Sequence, residues 1–91
     1  MPEFLLEMYV SRTDSEAVAA GAERARKAAE HLSQEGTPVR FIRSIFVPED
    51  ETCFYVYEAT SADDVREAAS WAGFPSAGVL EAVVTGEVNA R

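Results

Sequence analysis

A hairpin in the middle of the chain constrains the fold more than any other stretch. Two runs rich in β-branched and aromatic residues, 39–47 and 52–59, are separated by the acidic turn 48–51. Such side chains favour strands, and four residues is a common hairpin loop length. Pro48 ends the first run because proline has no N–H to donate to a ladder. The sequence therefore predicts two antiparallel strands joined at this turn.

Neither face of the predicted hairpin is polar. If Val47 pairs with Thr52, alternation divides the side chains into two sets. One set is Phe41, Arg43, Ile45, Phe54, Val56 and Glu58, and the other is Ile42, Ser44, Phe46, Cys53, Tyr55 and Tyr57. A sheet with helices on one side normally leaves its other face polar. We therefore expect a partner or ligand on the helix-free side, although a one-residue bulge would move one strand's set to the opposite face.

The segment before the hairpin predicts a strand followed by a helix. Apolar residues alternate over 3–11, which is the period of a strand. Thr13 followed by Glu16 forms a capping box, and the helix is predicted to run to about Gln34. Its inner stripe is mostly alanine, so it can lie close to a sheet: Val18, Ala22, Ala25, Ala29 and Leu32.

The segment after the hairpin repeats this pattern in the opposite order. Ser61 is a helix N-cap, and Gly73 and Pro75 are two independent signals that end the helix. A final strand is predicted over 78–85, and residues 86–91 are predicted to be a flexible tail.

The element order βαββαβ predicts an α+β, ferredoxin-like domain over residues 1–85. This architecture has a four-stranded antiparallel sheet with both helices on one face. Because the opposite face is bare while the hairpin is apolar on both sides, we expect dimerisation through the sheets, as a dimeric α+β barrel or sandwich.

Charge and cysteine content exclude several function classes. Sixteen acidic and eight basic residues give a net charge of −8, which opposes binding to nucleic acid or to anionic membranes. One cysteine allows no intrachain disulfide and no zinc quartet. The N-terminal stretch lacks the basic region of a signal peptide, so we expect a cytoplasmic protein.

Polar side chains within the apolar strands form the candidate ligand-binding set. If their faces coincide, these residues converge on the helix-free side: Glu7, Tyr9, Phe41, Arg43, Phe54, Glu58 and Glu81. A mostly apolar cleft with a few polar groups is the usual form of a small-molecule site. The alternative interpretation is that Arg43 simply pairs with Glu58, or with an acid across a dimer interface, and fixes register.

Other chemically notable residues favour structural roles. His31 lies near the end of the first predicted helix and is expected to point to solvent. Cys53 follows three acidic residues, which raise a thiol pKa, so we expect an inert thiol in or near the core. The acidic turn lacks the spaced ligands and the glycine of a calcium loop. Trp71 and Phe74 are expected to pack in the core or an interface.

The run from Ser44 to Pro75 resembles the DUF4242 group, small actinobacterial proteins related to a nickel-binding protein. The resemblance rests on the acidic turn, the aromatic-rich strand ending in Glu58-Ala59, the Ser61-capped helix, and the element 72–75, Ala-Gly-Phe-Pro. It implies a ferredoxin-like, dimeric fold.

The resemblance does not extend to the metal ligands. Nickel-binding members have histidines where this chain has Ala69, Phe74 and Leu80, and a strand cysteine where it has Tyr55. Since imidazole and thiolate are the ligands nickel prefers, the resemblance implies the fold without the metal and without a cofactor.

Three functional hypotheses follow from the sequence. The first is a homodimeric binding or interaction module, in which the two sheet faces bury each other with or without a small apolar ligand between them. The second is a dimeric α+β barrel enzyme, similar to cofactor-independent monooxygenases or cyclases, with a sheet-face carboxylate as acid or base. The third is a protein that binds nickel or another divalent metal.

Overall fold

A computed structural model describes residues 1–75 and 78–86 of the chain. The elements follow in the order Glu3–Tyr9 (β1), Ser15–Gln34 (α1), Val39–Val47 (β2), Thr52–Ala59 (β3), Ala62–Trp71 (α2) and Val79–Ala82 (β4). A single 3₁₀ turn, Pro48–Asp50, joins β2 to β3.

The strands form one antiparallel sheet in the order β2-β3-β1-β4. Side chains from both helices and from one face of the sheet share a single core cluster, so the opposite face carries no helix. This is the predicted α+β, ferredoxin-like arrangement, and the pairing of Val47 with Thr52 is confirmed.

The helix ends follow the sequence signals with one exception. Asp14, not Thr13, is the N-cap of α1, and its carboxylate accepts a hydrogen bond from the N–H of Ala17. Both residue types cap well, and the shift of one residue reflects which oxygen reaches the helix. Ser61 caps α2 as predicted, and Gly73 has the positive φ of 83° expected after a helix end.

The alanine stripe of α1 and the two central tyrosines of β3 make the core. Ala25, Ala28 and Ala29 are buried, as are Tyr55 and Tyr57. Small helix residues bring the helix close to the sheet, so the larger aromatic side chains of the sheet fill the layer between them.

β4 is shorter than the predicted strand 78–85, since its ladder spans only Val79–Ala82. Of the predicted tail, residues 87–91 lie outside the described residues.

Candidate functional site

The helix-free face of the sheet holds most of the predicted site residues. Directly paired residues lie on the same face of a sheet. The rows across β2, β3 and β1 are Val47–Thr52–Tyr9, Ile45–Phe54–Glu7, Arg43–Val56–Leu5 and Arg40–Glu58–Glu3. β4 extends two of these rows with Leu80 beside Leu5 and Ala82 beside Glu3. Glu7, Tyr9, Arg43, Phe54 and Glu58 are therefore on one surface.

Phe41 does not belong to this surface. β2 carries one extra residue, Ile42, between Phe41 and Arg43. Phe41 consequently pairs with Tyr57 rather than with Glu58, and its ring meets the Tyr57 ring edge-on with 5.7 Å between centroids. The prediction that Phe41 lies opposite Glu58 is wrong because the bulge moved it to the helix side.

Glu81 is also on the other side of the sheet. It pairs with Phe4, a buried core residue, so it faces the helix side at an exposed edge strand. Side chains alternate between the two faces over Val79–Ala82, but the register of β4 against β1 decides which side each residue faces.

The helix-free face combines exposed apolar side chains with charges. Ile45 is 45% exposed, Leu80 52% and Tyr9 72%. Arg43 and Glu7 are also exposed, and neither has an ion pair within the described residues. An apolar surface of this kind with unmatched charges at its margin is unusual for a surface that only faces water.

Glu58 is paired, but not with Arg43. Arg40 binds it through Nη2 at 3.1 Å and through Nε at 3.2 Å, on the helix-free side. No charged side chain is buried anywhere in residues 1–75 and 78–86. These residues therefore present no desolvated carboxylate of the kind that acid–base catalysis normally uses.

Glu51, the last residue of the acidic turn, holds the turn to the end of β1. Its carboxylate accepts hydrogen bonds from the Arg12 N–H at 3.0 Å and the Tyr9 hydroxyl at 3.4 Å. Its backbone is left-handed, with φ 50°. These contacts give the residue a structural role, and among the described residues no group of three His, Cys, Asp or Glu could hold a metal ion.

His31 is half-buried against Trp71 and does not point freely into solvent. The ring centroids are 4.0 Å apart with an interplanar angle of 35°, and Trp71 remains 58% exposed. This contact joins the last turn of α1 to the end of α2, a pairing of two helix ends that the sequence did not reveal.

Cys53 lies fully in the core beside the tyrosines of β3, as an inert thiol would. Burial raises its pKa. Burial likewise raises the pKa of Tyr55 to about 12 and that of Tyr57 above its ordinary value. All three groups therefore stay protonated over the physiological pH range.

Tyr55 links the sheet to α1 and to the segment that follows α2. Its hydroxyl donates to the Val18 carbonyl at 3.2 Å, and its ring stacks on Phe74 at 5.1 Å and 9°. The hydroxyl lies where a Cβ on Gly21 would be, only 2.1 Å from the ideal position. The Arg24 guanidinium also lies over the Phe74 ring, 4.7 Å from its centroid.

A groove between α1 and β2 was missed by sequence reasoning. It encloses about 460 Å³ and is lined by Arg26, Ala29, Glu30, Ser33, Gln34, Val39, Arg40 and Phe41. No sequence motif predicts this groove, because it arises from the way α1 crosses the edge strand and from the bulge that turns Phe41 toward the helix.

A family model described as "Nickel responsive protein SCO4226-like" matches residues 9–82 of the chain. The chain belongs to this family. No curated protein matches it. Its fold is similar to that of the crystal structure of SCO4226 from Streptomyces coelicolor A3(2), with a TM-score of 0.61 and 18% identity over 92% of this chain and 99% of that one.

Of the four positions that the DUF4242 resemblance pairs with metal ligands, three lie together in the core and one lies on the opposite face of the sheet. Ala69 and Tyr55 are buried in the core, and Phe74 stacks on Tyr55. Leu80 pairs with Leu5 on the helix-free face, on the opposite side of the sheet.

Among the described helices, none combines the length and apolarity that a membrane crossing requires.

Proposed function

We propose that this member of the SCO4226-like family is a small homodimeric binding module that assembles through its helix-free sheet face and does not hold nickel. The observation that carries the proposal is the combination of exposed Ile45 and Leu80 with the unmatched charges Arg43 and Glu7 on one surface. A two-fold contact buries the same patch of both copies, so the patch has to be complementary to itself.

The arrangement of this face supports such self-complementarity. Arg43 and Glu7 lie on either side of β3, two residues apart along the strands, so roughly 12 Å separates their backbone positions. Consider a two-fold axis that lies in the plane of the interface and crosses β3 between Phe54 and Val56. If this axis is perpendicular to the line from Arg43 to Glu7, it sets each Arg43 over Glu7 of the partner subunit.

The same axis would bring two apolar residues of one subunit against the same residues of the other. Arg43, Leu5, Glu7 and Ile45 form the corners of a rectangle around Val56 and Phe54, with Arg43 and Glu7 on one diagonal and Leu5 and Ile45 on the other. The second diagonal runs close to the direction of the axis. Each of these two apolar residues would pack against its own copy, with the two Arg43–Glu7 pairs outside them. An apolar centre with charged margins is the usual composition of a protein interface.

Charge exchange tests the interface directly. The wild-type chain is expected to sediment as a dimer, and Arg43→Glu and Glu7→Arg are each expected to dissociate it by placing like charges together twice. The double variant Arg43→Glu/Glu7→Arg restores the pairs with reversed polarity, so the dimer should return. Lys27→Glu is the control for Arg43→Glu, because it makes the same charge change on the exposed face of α1. A monomeric wild type, or a double variant that stays monomeric, would refute the proposed interface.

The donor groups of the described residues support the absence of a nickel site. The chain has one histidine and one cysteine. His31 packs on Trp71 at the helix ends, while Cys53 is fully buried in the core with a raised thiol pKa. A thiol must lose its proton to bind a metal, and burial opposes that loss.

Nickel binding is tested by dialysing the protein against nickel and weighing the intact complex by native mass spectrometry. We expect no stoichiometric nickel. Weak binding that disappears in His31→Gln would be adventitious contact with the half-buried imidazole at the helix ends. Stoichiometric nickel that survives in both His31→Gln and Cys53→Ser would refute this part of the proposal.

The enzyme hypothesis has less support than the binding module. It requires a carboxylate removed from water, whereas Glu7 is exposed and Glu58 is paired with Arg40 at the surface of the protomer. Whether a small apolar ligand is enclosed between the two sheets remains a prediction, as does the cytoplasmic location.

A further inference from the structure

The groove between α1 and the edge strand β2 carries an inference that is independent of the helix-free face. We propose that it binds a short, extended peptide of neutral or basic character, which pairs with the outer edge of β2 and inserts one apolar side chain between the helix and the strand.

The main chain of β2 shows where such a peptide would pair. The Ser33 hydroxyl donates to the Val39 carbonyl at 2.7 Å and accepts from the Val39 N–H at 3.3 Å. Both groups of Val39 therefore point away from β3. In an antiparallel ladder this orientation recurs at every second residue, so the N–H and C=O of Phe41 point the same way.

At Val39, the serine occupies the position that a neighbouring strand would occupy. At Phe41 that position is open: outside the ladder, residues 1–75 and 78–86 provide no backbone or side-chain hydrogen bond to its main chain. An edge with unpaired main-chain groups is a template for another strand. The bulge at Ile42 breaks the regular edge immediately afterwards, so the added strand is short.

The groove beside this edge accounts for side-chain binding. Its floor includes Ala29, Val39 and Phe41, and its volume of about 460 Å³ lies within the range of ligand pockets. Strand addition with a pocket for a side chain is a recurrent mode of peptide recognition, in which the main chain supplies affinity and the pocket supplies selectivity.

The charges at the rim favour a peptide over a small anion. Arg26 is paired with Glu23 and Glu30, and Arg40 is paired with Glu58. Neither arginine is thus available without breaking an ion pair. The main-chain groups of Phe41 do lack partners among the described residues. The net charge of −8 disfavours an acidic segment.

The test is a titration of ¹⁵N-labelled protein with the capped peptide Lys-Val-Thr-Val-Lys. Shift changes are expected at Ala29, Ser33, Val39 and Phe41. Two N-methylated forms, one methylated at both valines and one at the threonine, distinguish the two edges of the peptide. Only one edge faces β2, so one form should bind about tenfold more weakly while the other is nearly unaffected. The peptide Glu-Val-Thr-Val-Glu should bind more weakly than the parent.

Several outcomes would overturn the proposal. One is no shift change at millimolar peptide. Another is equal binding of the parent and both methylated forms, which would indicate a contact without strand pairing. Shifts centred on Leu5 and Phe54 would place the peptide on the helix-free face instead. Groove signals that change with protein concentration alone would show that a second copy covers this edge.

Discussion

Replacing each of the two buried tyrosines of β3 by phenylalanine should have different effects on the free energy of unfolding. Tyr55 and Tyr57 are both fully buried, but only Tyr55 has a hydrogen-bond partner, the Val18 carbonyl. Among the described residues, the Tyr57 hydroxyl is the one buried side-chain nitrogen or oxygen atom without a partner. Tyrosine to phenylalanine removes just the hydroxyl from each ring.

The expected magnitudes follow from hydrogen-bond energetics. Tyr55→Phe removes a satisfied buried bond, which contributes about 1 kcal/mol to the free energy of unfolding. Tyr57→Phe removes a hydroxyl whose burial without a partner costs about 1–3 kcal/mol, so the variant should be as stable as the wild type or more stable. A difference of about 2 kcal/mol between the variants corresponds to roughly 8–16 °C in melting temperature for a domain of this size.

Urea unfolding followed by far-UV circular dichroism, at one fixed protein concentration, measures the difference. The fixed concentration matters because dimerisation would add its own contribution to stability. If Tyr57→Phe loses as much stability as Tyr55→Phe, the Tyr57 hydroxyl has a partner, such as an ordered water molecule, and the reasoning is refuted.

Two further predictions concern the same core. Gly21→Ala should destabilise the wild type by about 1–3 kcal/mol through overpacking against the Tyr55 hydroxyl, and by clearly less in a Tyr55→Phe background; additive effects would contradict this contact. Cys53 and both tyrosines have raised pKa values in the folded state, so the unfolded chain loses these protons at lower pH. The free energy of unfolding should therefore be highest below pH 9, the ordinary pKa of the thiol being 9.0, and should fall as the pH approaches 12. A urea midpoint that stays constant over this range would contradict the prediction.

Local signals in the sequence determined most of the fold. The alternation of residues 52–59, the Ser61 cap and the Gly73 stop depend on interactions within a few residues, so they can be read without knowing what lies opposite. The Val47–Thr52 register belongs to the same class, because a tight turn joins the two residues. The burial of Cys53 also follows from its place on an apolar face of the hairpin.

Only the tertiary structure decided which candidate residues meet. The bulge at Ile42 moved Phe41 to the helix side, and the register of β4 did the same for Glu81, since each depends on pairing between strands rather than on spacing along one. The partners of Glu58 and His31, and the groove between α1 and β2, arise where distant segments come together. Side-chain periodicity specifies two faces for each strand, but the contacts between strands and helices determine which residues share a surface.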